Sequence, residues 1–295
     1  MATSSYALYR CAVLSTSTGL LDNILDRDSP IQILRLTVHT GDQSYADGLD
    51  LEPERFYQWM ALNPDTVPTT EPPSAEYLRN TFQYLHKQGY REAIVTTISG
   101  KLSASAAIIR QIAAEMADII TIYVVDTGLV CMPEGFFALE ALRLLQTGKS
   151  AAEVVDYLER LKPHGEIVVG LLSLRQIAIS GGFTRAGVTI GNWLNLKPVL
   201  RFSNSELTRL KDTFSAGQLL DATVDAVAER IEGRDRRKLV FGGMYGGNVE
   251  LYRQFATKLH NKTGLRLQGI PITPVMGAYI GPDAVGVGII ERLPE

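Results

Sequence analysis

Residues 94–106 read IVTTISGKLSASA, and the fold turns on that stretch. Ile94-Val95-Thr96-Thr97-Ile98 is β-rich and fits a buried strand. Ser99-Gly100 breaks it, and from Leu102 an alanine-rich helical pattern runs on toward Met116. A strand therefore feeds a short polar turn, and the turn feeds a helix N-terminus. In open α/β sheets ligands bind at such corners, outside the carboxyl ends of the strands. Free N–H groups and the helix dipole favour an anion there. Ser99, Ser103, Ser105 and Lys101 crowd the corner. Their hydroxyls can cap the helix, hold a ligand carboxylate, or do both, and capping is the plainer reading.

Working outward, residues 6–14 (YALYRCAVL) read as a first strand ending in the polar turn Ser15-Thr16-Ser17-Thr18-Gly19. Residues 33–39 alternate Leu34, Leu36 and Val38 with Arg35, Thr37 and His39, the period of one half-exposed strand. Bends follow at Gly41-Asp42 and Tyr45-Ala46-Asp47-Gly48, and Pro53 opens a helix through about Met60. Residues 63–74 (NPDTVPTTEPPS) carry four prolines in twelve residues, which reads as a loop without regular structure. Ser74 caps the next helix, with Leu78, Phe82 and Leu85 on one face and Gly89 at its end. Downstream of the corner come a buried strand at 119–125, a helix at 134–147, and a helix opened by the capping box Ser150-x-x-Glu153. This alternation predicts a parallel sheet covered on both faces.

Pro163-His164-Gly165 reads as the domain boundary. Beyond it the spacing predicts strands at 166–172, 197–201, 238–242, 267–272 and 286–291, with helices at 216–232 and 248–260. A chain of 295 residues suits two domains.

Composition narrows the function classes. Hydrophobic residues at 45% and charged residues at 21% are ordinary for a globular protein, and a formal net charge of −3 argues against a nucleic-acid partner. Cys11 and Cys131 lie in apolar runs and read as buried free thiols. No apolar run is long enough to span a membrane, so at most transient contact with a membrane surface is expected. The N-terminus lacks a signal-peptide pattern, and the chain reads as cytoplasmic.

Enzymatic motifs are missing. Gly148-Lys149-Ser150 lacks the upstream glycine of a P-loop, no G-x-G-x-x-G opens a helix, and no G-x-S-x-G elbow occurs. His39, His86, His164 and His260 are scattered without metal-ligand spacing. Asp47 and Asp126 follow strands, where an aspartate most often caps a turn. What remains is a set of hydroxyls in loops after strands: Ser15 to Thr18, Thr69-Thr70, and Ser99 to Ser105. Hydroxyls and helix N–H groups hold a carboxylate by charge-assisted hydrogen bonds, and without a general base they are poor catalysts. The chemistry favours a binder over an enzyme.

Landmarks spread along the chain carry a resemblance. They are Tyr45-Ala46-Asp47-Gly48-Leu49-Asp50, Pro68-Thr69-Thr70-Glu71-Pro72-Pro73-Ser74, Ile98-Ser99-Gly100-Lys101-Leu102-Ser103 and Tyr123-Val124-Val125-Asp126. The Gly181-Gly182 loop, the run Gly191-Asn192-Trp193-Leu194-Asn195-Leu196-Lys197-Pro198 and Gly281-Pro282-Asp283-Ala284 complete them. In this order they resemble the DegV family of bacterial lipid-binding proteins over nearly the whole length. The resemblance implies an α/β fold in two domains with the ligand between them. Residues 1–163 would form an N-terminal parallel-sheet α/β/α sandwich, and residues 164–295 a C-terminal α/β domain with a mixed sheet. It implies a long-chain fatty acid in a buried apolar tunnel, no catalytic residue, no metal and no cofactor. Thr69 and Ser103 would hold the carboxylate, with Ser99 the near alternative, Thr70 beside Thr69, and the Gly100 and Ala104 amides assisting. Some members present the acid to a fatty-acid kinase, which makes an acyl phosphate for phospholipid synthesis.

The chain departs from the family pattern at three places. Ser15 stands where an aspartate is usual, Phe183 where arginine is usual, and Tyr279 where many members have histidine. Arg185 lies two residues from Phe183, and the Tyr279 hydroxyl can donate a hydrogen bond. Two rival readings remain. One is a serine-dependent acyl hydrolase or transferase using Ser103 or Ser99, which needs a histidine or lysine base in reach. The other is a regulatory module without ligand.

Overall fold

The computed structural model describes residues 10–180 and 196–294. Its strands through the corner are β1 (Cys11–Thr16), β2 (Gln32–Leu34), β3 (Thr37–Thr40), β4 (Gln43–Ala46), β5 (Thr69–Glu71), β6 (Glu92–Thr97) and β7 (Thr121–Asp126). There follow β8 (Gly165–Leu171), β9 (Lys197–Ser203), β10 (Glu206–Thr213), β11 (Leu239–Tyr245), β12 (Gly269–Pro271) and β13 (Ala284–Glu291). The helices are α1 (Pro53–Leu62), α2 (Ala75–Lys87), α3 (Ser105–Glu115), α4 (Cys131–Gln146) and α5 (Ala151–Leu161). Beyond them lie α6 (Arg175–Ser180), α7 (Ala216–Ile231), α8 (Val249–Thr263) and α9 (Pro274–Ile280).

Strands β2-β1-β6-β7 form a parallel sheet in that order. Its strands are buried on both faces, and the period of two sorts their side chains. Cys11, Val13 and Ile94 face α4 and α5, where Phe137, Ala141, Val154 and Leu158 meet them. Ala12, Leu14, Ala93 and Val95 face α2 and α3, meeting Leu78, Phe82, Ile109 and Ile112. The expected α/β/α layering is present. Ser74 accepts from the Tyr77 amide at 3.2 Å, and the Ser150–Glu153 capping box closes in both directions.

A second sheet runs β10-β9-β8-β13-β11-β12, antiparallel except for the parallel pair β11–β12. One face takes α7 and α8 through Val168, Val199, Val287, Leu220, Val227 and Phe255. The other face takes α4. There Met132 and Pro133 lie over Gly288, where an added Cβ would come within 2.6 Å of Pro133 Cδ. Helix α4 is thus packed between the two sheets.

Four local readings are corrected. The single strand expected at 33–39 is two strands in different sheets. The Arg35 guanidinium grips both oxygens of Asp22 at 2.6 Å and the Asp47 carbonyl at 2.9 Å, and the Leu36 amide donates to Ser17 Oγ at 3.3 Å. With its amide on Ser17 and its carbonyl accepting the Asp47 amide at 2.9 Å, Leu36 interrupts the strand and separates β2 from β3. The proline-rich stretch read as irregular contains β5, which pairs with β3 in a small antiparallel sheet β4-β3-β5. Pro68 and Pro72 flank that edge strand, so no ladder donor is lost. Tyr45 and Ala46, read as part of a bend, lie in β4. The helix expected from Leu102 begins at Ser105, because Ser103 Oγ accepts the Ser105 amide at 3.2 Å and holds one more residue pair in the turn. Strand β10 and helix α9 had no counterpart in the sequence reading.

Candidate functional site

Strand β2 lies on one side of β1 and β6 on the other, so the ends of β1 and β6 flank a topological switch point of the parallel sheet. Both ends are rich in hydroxyls. Ser15 to Thr18, Thr96, Thr97 and Ser99 are fully buried there. Thr16 Oγ1 accepts the Ile98 amide at 3.1 Å and donates to Glu134 Oε1 at 2.5 Å. Thr18 Oγ1 donates to the same oxygen at 2.8 Å. The Glu134 carboxyl group on α4 thus holds the end of β1 at two threonines, and Thr16 in turn joins it to the end of β6.

Glu134 is buried, and its second oxygen, Oε2, has no hydrogen-bond partner among the described residues. Desolvation pushes its pKa up to about 8, with Asp126 and Asp47 adding to the rise against the pull of the two threonines. Asp47 is also buried. Its Oδ1 accepts the Val275 amide at 3.0 Å, and desolvation raises its pKa to about 6. It thereby caps α9 from far away in the chain. Burial likewise pushes the Cys11 thiol up to about 12 and the Cys131 thiol higher still, so both free cysteines are inert.

The structure places the expected ligand residues in two groups. At the corner, the Ser99 amide donates to Leu129 O at 2.8 Å, and the Ser99 hydroxyl meets the Ser205 hydroxyl at 2.8 Å. Ser205 lies between β9 and β10, and its amide donates to Gly128 O at 2.8 Å, so the tip of that hairpin docks on the corner. Ser103 pairs with Ser105 at 2.9 Å. The Gly100 amide donates to Asp126, with both carboxylate oxygens at 3.1 Å. Lys101 and Ala104 are exposed.

In the second group, Thr69 is exposed on β5, paired in the ladder with His39. Thr70 Oγ1 and the Tyr279 hydroxyl share a hydrogen bond at 2.6 Å, which joins β5 to α9. No hydrogen bond links the two groups among the described residues. Arg185, Phe183, the Gly181-Gly182 loop and residues 191–195 lie outside the described residues.

Sequence reasoning missed Glu134, Ser205 and the bond from Gly100 to Asp126. Glu134 looks like an ordinary acid in a first helical turn, and only tertiary packing shows that it is buried. No histidine or lysine side chain hydrogen-bonds Ser99 or Ser103 among the described residues. The hydroxyls bond one another, which leaves the acyl-hydrolase reading without an activating base. No group of three or more acidic, His or Cys side chains that could hold a metal occurs among the described residues, and no described helix is long and apolar enough to cross a membrane.

A broad open cleft of about 1330 Å³ lies between α1, the start of α6 and the Tyr245–Asn248 turn. Glu52, Glu54 and Asp283 are among its walls, which suits a hydrocarbon tail poorly. A buried apolar cluster lies on the mixed sheet under α6, made of Leu171, Leu174, Ile177 and Leu200 with Leu207 and Ile280 packed against it.

The sequence profile of the DegV family, described as uncharacterised proteins, matches residues 10–292. The chain belongs to the DegV family. It is 25% identical over 286 residues to a DegV domain-containing protein of Staphylococcus aureus, covering 96% of this chain and 98% of that one. Among solved structures it is similar to a stearic acid-binding protein from Eubacterium ventriosum, with a TM-score of 0.83 at 20% identity over 95% of this chain and 98% of the other. It is equally similar to DegV, a fatty acid-binding protein of Bacillus subtilis, with a TM-score of 0.83 at 20% identity over 96% and 99%. These likenesses show the DegV fold. The switch-point corner and the buried apolar cluster beneath α6 both sit within the matched region.

Proposed function

We propose that this DegV-family chain binds one long-chain fatty acid, non-catalytically, and presents its carboxylate to a partner. One observation carries the reading: the hydroxyl corner borders a mostly buried apolar cluster to which both sheets contribute. Ile98 and Leu102 flank Ser99-Gly100-Lys101 and pack in the same apolar cluster as Phe202, Leu207 and Ile280 of the mixed-sheet half. A head group held by Thr69 and Ser103, with Ser99 the near alternative, would have its tail directed into that cluster, between residues 1–163 and residues 164–295 acting as two domains. The fatty acids named for the Eubacterium ventriosum and Bacillus subtilis proteins support the same class of ligand.

Burying a hydrocarbon tail at about 0.8 kcal/mol per methylene supplies the affinity, and the polar end sets orientation. The exposed Gly100, Lys101 and Ala104 leave the head-group end open to a docking protein. A fatty-acid kinase is the partner this arrangement serves, with the carrier itself doing no chemistry. The test is native mass spectrometry of freshly purified protein, followed by denaturing extraction. A stoichiometric free fatty acid is expected, and Thr69→Ala with Ser103→Ala should lose it. A protein that is empty and refuses added palmitate or oleate sinks the reading.

A further inference from the structure

We propose that the open cleft beside α1 binds a linear polyamine, a flexible chain carrying several ammonium groups. The cleft, about 1330 Å³, lies apart from the hydroxyl corner, and none of Thr69, Ser99, Ser103 or Tyr279 lines it. Its charge is one-sided. Asp22, Glu52, Glu54 and Asp283 reach its walls, and Arg175 is the only cation among the described residues that line it. Arg175 faces Asp65 at 3.5 Å, and Arg35 neutralises Asp22 at 2.6 Å. Glu54 and Asp283 meet the neutral side-chain amides of Gln58 at 3.4 Å and Asn248 at 2.8 Å. Glu52, Glu54 and Asp283 therefore carry their charge without an ion-pair partner among the described residues.

A buried charge stands behind these walls. Asp47 adjoins the lining residue Gly48, and with a pKa of about 6 it is ionised at neutral pH. Arg35 directs its donors to Asp22 and to the Asp47 backbone carbonyl, not to the Asp47 carboxylate. Thr273, in the cleft wall beside Asp47, is buried as well. Neither Thr273 Oγ1 nor Asp47 Oδ2 completes a hydrogen bond among the described residues. A cation in the cleft would offset the charge that burial makes costly. Tyr57 and Tyr245 bring rings to the same walls, and aromatic faces attract ammonium groups. An anion has less to gain. Glu52 and Glu54 already complement the start of α1, and Asn248 Oδ1 accepts the Leu251 amide at 2.9 Å at the start of α8. A single metal ion fits no better, because no group of three or more acidic, His or Cys side chains that could hold one occurs among the described residues. Small-molecule pockets measure roughly 300–1,000 Å³, and carboxylates spread through a larger space suit charges spaced along a chain.

The test is isothermal titration of the full-length protein with spermine at about 0.15 M ionic strength, where diffuse surface attraction is screened beyond roughly 8 Å. One spermine should bind with a micromolar Kd. Glu52→Gln with Glu54→Gln, at exposed positions whose change leaves the fold alone, should weaken binding about tenfold, the worth of two partly exposed ion pairs. Asp47→Asn removes the buried charge, keeps an acceptor for α9 and should weaken binding several-fold. Asp42→Asn with Asp118→Asn removes the same charge from exposed sites outside the cleft and should leave Kd within about twofold. Equal losses in the two double variants, or a folded wild-type protein that takes up no spermine, overturn the proposal. Tri-lysine offers the same ammonium groups on a peptide. Should it bind more tightly than spermine, the cleft serves a basic segment of a partner and the assignment to a free polyamine falls. The first double variant should bind palmitate as the wild type does, so failure here and failure of the fatty-acid reading are separate outcomes.

Discussion

Glu134 is the residue on which the interior chemistry of the corner depends. Its folded-state pKa of about 8 stands above the ordinary 4.5, so the folded protein holds a proton that the unfolded chain releases. The sign follows directly. Stability is greatest below the unfolded value, falls as pH rises between about 4.5 and 8, and levels off above. Glu134→Gln should flatten that decline and leave the variant the more stable protein above pH 8, by an amount on the order of a few kcal/mol. Thermal denaturation across this range checks it, and parallel wild-type and variant curves would contradict it. The sequence could not single this residue out. An acid in the first turn of a helix ordinarily faces water and complements the dipole, and only the meeting of α4 with the end of β1 removes Glu134 from solvent.

At the level of elements, α9 shows how one part of the chain completes another. Thr273 precedes it but makes no side-chain cap, and Asp47 supplies the acceptor for the Val275 amide at 3.0 Å. Asp47→Ala leaves that amide orphaned and should cost about 1–2 kcal/mol, whereas Asp47→Asn keeps an acceptor and sheds a buried charge. Chemical denaturation should therefore rank Asn at or above the wild type at pH 7, with Ala below both. By contrast, α5 carries its own start signal. Ser150→Ala should cost about 1 kcal/mol, because the Glu153 amide loses the hydroxyl that caps it while the bond from the residue-150 amide to the Glu153 carboxylate remains. The two cases explain what was legible. Ser150 and Glu153 are neighbours on one helix and can be paired on paper. Asp47 and Val275 meet only after both halves fold.

The whole molecule is organised around α4, which shares its surfaces between the parallel and mixed sheets. Gly288 allows the approach on the mixed-sheet side, and Gly288→Val would put carbon where Pro133 already lies. Such overpacking costs roughly 1–3 kcal/mol. Because α4 belongs to both halves, the loss should lower a single unfolding transition seen by near- and far-ultraviolet probes alike. Two separated transitions would show that the halves are independent. A bound fatty acid should raise the same transition, by about 2.7 kcal/mol at a hundredfold excess over Kd. An unchanged melting temperature in saturating palmitate would count against binding at the junction.

The sequence by itself determined the layered α/β character, the capped helices and the serine corner after β6, since these rest on period, propensity and local hydrogen bonds within a few residues. Ser99, Gly100 and Ser103 could be named from one turn. Tertiary structure alone decided the split of 33–39 into two sheets, the pairing of Thr70 with Tyr279, the burial of Glu134 and the seating of Asp126 on Gly100. Each depends on groups far apart in the chain, and the free energy that orients them comes from packing α4 and α9 across both halves. A side chain's neighbours along the chain carry no record of that packing.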